Sequence, residues 1–148
     1  MTHSIIMNIK IKDYDDVETI WNNISVKDCD GESAMSLYRL KKDTSFGKSM
    51  DFSGLCPFIY FPYDNKCIGD DGYYYIYVNT GTHCSWYDFN EILFMWTFWV
   101  YMREELENLG VSFEYWISED SIDNNYTIAQ AWKKILSENE ELNSVVKK

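Results

Sequence analysis

Tyr73-Tyr74-Tyr75-Ile76-Tyr77-Val78 is the stretch that decides the fold. All six residues are aromatic or β-branched. Such side chains lose rotamer freedom against a helical turn but fit a pleated surface, so the segment predicts a strand. Just upstream, Asp64 to Gly72 is polar and rich in Asp and Gly, which predicts a turn. Before the turn, Leu55 to Phe61 is apolar, with Pro57 inside it. Two apolar arms across a polar turn predict a β-hairpin. Because proline cannot donate to a strand ladder, the upstream arm is expected to be an edge strand or an extended segment.

Downstream lies the best-defined helix, over residues 86–109. Ser85 and Asp88 have capping-box spacing, and Gly110 fits the position that stops a helix. Its apolar residues occupy nearly every direction of the helical wheel, which predicts a central, largely enclosed helix. The least apolar direction carries Asn90, Thr97, Tyr101, Glu104 and Asn108. Val111, Phe113, Tyr115 and Ile117 then alternate with Ser112, Glu114 and Trp116, predicting a strand. An acidic loop is expected over Glu119–Asp123, followed by an amphipathic C-terminal helix burying Ile128, Ala131, Trp132, Ile135 and Leu142. Charges on that helix and beyond, Glu138, Glu140 and Glu141 against Lys133, Lys134, Lys147 and Lys148, read as a solvated face.

At the start of the chain, residues 5–12 alternate as a half-buried strand. Asp13 then caps a short helix with Val17, Ile20, Trp21 and Ile24 at helical spacing. Asp28 to Glu32 reads as an acidic loop turning at Gly31, residues 34–41 as a strand, and Lys41 to Gly54 as a polar loop. No repeat or linker divides residues 1–148. The sum is one α+β domain: an antiparallel or mixed sheet of about five strands, with the central and C-terminal helices packed on one face.

Hydrophobic residues make up 46% of the 148 and aromatic residues 18%, enough for a core and too many for a disordered chain. The twelve tyrosines exceed what a core easily satisfies, because each buried hydroxyl needs a partner, so some are expected at the surface. The net charge is −11. Residues 1–50 hold seven Lys/Arg and eight Asp/Glu, whereas residues 51–148 hold six against sixteen. Such a chain repels nucleic acid and anionic membrane and attracts basic partners. The longest apolar run, Ile92 to Met102, is about half the ~20 residues of a membrane span, and no secretory signal is visible. A cytoplasmic protein with reduced thiols is expected, and the sequons at Asn23 and Asn125 then carry no meaning.

Chemical motifs fail on their own terms. Gly47-Lys48-Ser49 ends like a phosphate-binding loop, but Lys42 stands where its first glycine belongs. Asp28-Cys29-Asp30-Gly31 and Asp64 to Asp71 lack the ligand order of a calcium loop, with Val26, Leu37 and Lys66 in ligand places. Cys56, Cys67, His83 and Cys84 match no zinc-knuckle spacing. His83 and Cys84 are neighbours, whose side chains on an extended segment point apart, which suits no thiolate–imidazole pair. No catalytic residue, metal or cofactor is expected, and the chain reads as a non-enzyme. A small enzyme built on carboxylates or Cys84, and an adaptor subunit with an aromatic interface, are the alternatives.

What remains is surface character: small, acidic, ring-rich and free of motifs. Immunity proteins against nuclease toxins, and phage proteins that disarm restriction or CRISPR effectors, share this profile. The expected function is inhibition of a basic protein, a nuclease or nucleic-acid-binding effector, by docking on its nucleic-acid-facing surface. Neither nucleic acid nor membrane is expected to bind directly. Asp64, Asp70 and Asp71 with Tyr73 and Tyr75, and a second acidic group of Glu119, Asp120 and Asp123, are the expected partner-binding residues.

Overall fold

The computed structural model describes residues 5–29, 35–41, 57–80, 89–119 and 122–138. In chain order they form β1 (Ile5–Ile11), α1 (Tyr14–Ile24), β2 (Ser25–Cys29), β3 (Met35–Leu40), β4 (Phe58–Pro62), β5 (Tyr74–Asn79), α2 (Phe89–Asn108), β6 (Phe113–Glu119), β7 (Ile122–Tyr126) and α3 (Ile128–Glu138). One antiparallel sheet holds all seven strands in the order β2-β3-β4-β5-β1-β6-β7. The architecture is α+β, as the sequence predicts, with β2 and β7 added at the two edges.

The tyrosine-rich strand sits at the centre, between β4 and β1. Ile9 is opposite Ile76 on one side and Tyr115 on the other, while Lys10 is opposite Tyr75 and Glu114. Because side chains alternate, these registers sort every residue onto one of two faces. Ile5, Met7, Ile9, Ile11, Tyr74, Ile76, Val78 and Ile117 point to the helix layer and are buried. Val17, Ile20 and Ile24 of α1, Met95, Phe98, Trp99, Met102 and Leu106 of α2, and Ile128, Ala131 and Ile135 of α3 complete the same core. Trp99 fastens α2 to the sheet end: its indole N–H donates to Thr80 Oγ1 at 3.1 Å, and Thr80 donates from Oγ1 (3.1 Å) and N (2.9 Å) to the Ile5 carbonyl. Both Trp99 and Thr80 are fully buried, so this is a satisfied polar link inside the core.

Several expectations are corrected. The upstream hairpin arm is an interior strand, because Pro57 lies before the first paired residue and Pro62 closes the last pair, where a missing N–H is tolerated. The Asp28–Glu32 segment is not a loop from its start, since β2 continues through Cys29 with a bulge between Lys27 and Cys29. Likewise Glu119 belongs to β6 and Asp123 to β7, so that Glu119 pairs with Ile122. Asp13 takes the N-cap position of α1 with its carbonyl, yet its side chain makes no capping hydrogen bond. Ser85, Asp88 and Leu142 lie outside the described residues. Gly110 stops α2 at φ +73°, the left-handed conformation that glycine adopts without strain. At α3 a true capping box is present: the Thr127 N–H donates to Gln130 Oε1 and the Gln130 N–H to Thr127 Oγ1, at 3.0 and 3.2 Å.

Candidate protein-binding surface

The face of the sheet turned away from the helices is built by the other half of each strand. Its centre is Asn8, flanked in register by Tyr77 and Trp116, with Lys10 flanked by Tyr75 and Glu114. Asn8 is only 6% exposed and satisfies its amide by donating to Ser118 Oγ at 2.8 Å. Over this polar floor Tyr75 and Tyr77 lie nearly parallel, 6.4 Å between ring centroids, and Trp116 meets Tyr75 edge-on at 6.4 Å. Tyr77 is 36% exposed.

The β4–β5 turn closes over one end of this ring ledge. Gly69 and Gly72 shape it: the Gly69 N–H donates to the Tyr73 carbonyl at 2.8 Å, and Gly72 has φ +81°. Asp71 accepts from the Tyr73 N–H at 3.1 Å and from the Tyr75 hydroxyl, and the Lys10 ammonium stands 3.5 Å from it. The Tyr75 bond, more than the Tyr73 N–H or Lys10, holds the Asp71 carboxyl below its ordinary value. The same bond raises the Tyr75 phenol to about 12. Lys10 also lies 3.9 Å from Glu114 and 4.2 Å above the Tyr73 ring.

The expected site residues divide across this geometry. Asp71, Tyr73 and Tyr75 come together around Lys10. Asp70 is exposed on the same turn. Asp64 turns the other way: it accepts from the Lys66 N–H at 2.8 Å and faces Tyr14 on α1, whose phenol is raised to about 12 by burial first, then by Glu18 and Asp64. Glu119 lies opposite Ile5, whereas Tyr74 lies opposite Ile11, so the second acidic group occupies the far end of the sheet, about 20 Å away at ~3.3 Å per residue. Asp123 lies nearby in β7, and Asp120 lies outside the described residues.

At the Ile11 end the fold gathers acid that the linear sequence disperses. β1 leads there into α1, β4 into β5, and α2 into β6. Residues 10–18, 63–73 and 103–114 hold eleven carboxylates against four cations, Lys10, Lys12, Lys66 and Arg103. Four of those acids come from the nearly neutral first third of the chain. Three more, Glu104, Glu105 and Glu107, stand at the C-terminal end of α2, where the helix dipole disfavours negative charge by about 0.3–1 kcal/mol each. Among the described residues the cation paired with them is Arg103, 3.9 Å from Glu107. The acidic end runs directly onto the ring ledge through Asp71, Lys10 and Glu114.

Among the described residues no group of three metal-ligating side chains converges, and no helix is long and apolar enough to cross a membrane. Cys29 is exposed and Cys67 half-buried; Cys56, His83, Cys84 and the Gly47-Lys48-Ser49 segment lie outside the described residues. The gap between α3 and β6, lined by Ile5, Ile117, Ala131 and Ile135, measures about 10 Å³, room for roughly one water. No family model, curated protein or solved structure matches this chain.

Proposed function

We propose that this chain is an acidic protein-binding inhibitor that docks on the basic, nucleic-acid-facing surface of a partner, in the manner of immunity or anti-defence proteins. One observation carries the reading: eleven carboxylates collected at one end of the sheet, next to a half-exposed ledge of Tyr75, Tyr77 and Trp116. Asp15 and Asp16 suit the first turn of α1, and Asp64 and Asp71 hold the β4–β5 turn. But like charges so gathered repel one another, and those at the end of α2 oppose its dipole, so fold stability does not account for the whole group. They suit a task that needs a negative field. The field steers a basic partner inward, and rigid rings, which lose little entropy on docking, supply contact area beside it.

The test is capture of targets from lysate on the immobilised protein, with rising salt and with competing duplex DNA. Basic nucleic-acid-binding proteins should be retained at low salt and displaced by DNA. A variant carrying Asp15→Lys, Asp16→Lys and Asp70→Lys should lose them. Retention of the same proteins by that variant, or a direct gel shift of DNA or RNA by the chain itself, would remove the reading.

A further inference from the structure

The group around Lys10 is a cradle for a cation, and its present occupant fits it loosely. The ammonium is 3.5 Å from Asp71, 3.9 Å from Glu114 and 4.2 Å from the centre of the Tyr73 ring. Both carboxylate distances exceed the 2.7–2.9 Å typical of a charge-assisted hydrogen bond. Asp71 is also engaged elsewhere, by Tyr75 and the Tyr73 N–H. Glu114 is not so engaged: its side chain is 72% exposed, and its contact with Lys10 is an ion pair at the outer limit of range. One pleat along β6 from Glu114 is Trp116, in edge contact with Tyr75, which in turn lies parallel to Tyr77.

A carboxylate with open hydrogen-bonding positions beside flat ring faces matches a guanidinium better than an ammonium. The planar fork can bind the carboxylate with two parallel N–H groups while its own face lies flat on a ring, and a lysine ammonium has neither the fork nor the flat face. We propose that Glu114, Asp71 and the Tyr75–Tyr77–Trp116 ledge form a receptor for an arginine side chain of the partner, and that Lys10 is a resident competitor holding the cradle until that arginine arrives. The proposal rests on the reading of a basic partner and names the group that partner would insert. Glu114 and Trp116 thereby join the surface, although neither is among the residues the sequence picks out.

The experiment uses a fluorescent hexa-arginine peptide and measures its affinity by anisotropy at low salt. Lys10→Met is compared with Lys12→Met, which changes net charge equally outside the cradle. Lys10→Met should bind about fivefold tighter than Lys12→Met, the gain from freeing two carboxylates of a weak internal partner. Adding Glu114→Gln should abolish that difference, and a hexa-lysine peptide should gain less. The indole N–H resonance of Trp116 should shift with hexa-arginine. Equal affinities for the two lysine variants, or a gain that survives Glu114→Gln, would overturn the proposal. Should Lys10→Met fold poorly, Glu114→Gln alone should weaken hexa-arginine binding more than Glu18→Gln on α1, and equal effects would count against the cradle. Failure here with salt-sensitive capture of basic proteins intact would remove only the cradle. Failure of capture with the peptide result intact would remove only the partner class.

Discussion

Asp70 and Asp71 are neighbours in sequence and unlike in circumstance. Asp71 holds the β4–β5 turn to β1 and β5, through Lys10, the Tyr73 N–H and Tyr75, so its removal perturbs structure as well as surface charge. Its carboxyl is lowered from 3.8, and a lowered carboxyl contributes stability in full above its unfolded value, losing it as pH falls through the folded one. The melting temperature of Asp71→Asn should therefore trail that of the parent at neutral pH, and the gap should close as pH drops below 3.8. A gap that persists unchanged into acid would show that the carboxylate charge is not what matters. At the alkaline side, the Tyr75 phenol is raised from 10.0 to about 12 by its bond to Asp71. Ultraviolet titration of Asp71→Asn should find one more tyrosine ionising near 10, while Tyr14 stays retarded by burial, Glu18 and Asp64. Gly69 belongs to the same knot. A Cβ there would stand 3.0 Å from Asp71 Oδ1 and 3.1 Å from both the Tyr73 carbonyl and the Tyr75 ring. Gly69→Ala should accordingly destabilise by about 1–3 kcal/mol in denaturant unfolding, because the backbone carbonyl cannot swing away as a side chain can.

At the scale of elements, period is what made the fold legible. β1, β5 and β6 are central strands with one buried face, so every second residue had to be apolar, and α1 and α3 carry narrow apolar stripes. β2 and β7 escaped for the converse reason. An edge strand is fixed by one neighbour's ladder and needs no alternation: Val26, Lys27, Asp28 and Cys29 are all exposed. Ile122-Asp123-Asn124-Asn125-Tyr126 likewise looks like a loop until β6 pairs with it. The Thr127–Gln130 capping box, by contrast, was open to reading from spacing alone. α2 is held by something no periodicity reveals, the Trp99–Thr80–Ile5 link. Trp99→Phe removes the indole donor and should cost about 1–2 kcal/mol, for one buried hydrogen bond and a small void. Thr80→Val keeps the volume but leaves the Trp99 N–H unpaired in the core and should cost as much or more. If both changes were neutral in denaturant unfolding, the link would be incidental to the packing.

For the whole molecule, the candidate surface was half legible. A turn rich in Asp beside a run of tyrosines announces exposed acid and rings, and Asp71, Tyr73 and Tyr75 do meet. What linear counting concealed is that acids of α1 and α2 join them, since only the β1–α1 and α2–β6 connections bring those helix ends to the Ile11 end of the sheet. That arrangement separates binding from stability in a way that can be measured. Glu104 and Glu105 oppose the α2 dipole without the Arg103 pairing that Glu107 has, so neutralising them as Glu104→Gln and Glu105→Gln should leave stability unchanged or raise it by a few tenths of a kcal/mol. The same pair of changes weakens the steering field and should slow association with a captured target severalfold. Ala129→Lys with Ser137→Lys alters net charge equally on α3, a helix packed over Ile5 and Ile117 at the other end of the sheet. It should slow association much less. Raising salt from 0.1 M to 1 M shortens the screening length from about 10 Å to about 3 Å and should erase the difference between the two double variants. Equal slowing by both pairs would mean that net charge alone matters and that the acidic end is not where the partner approaches.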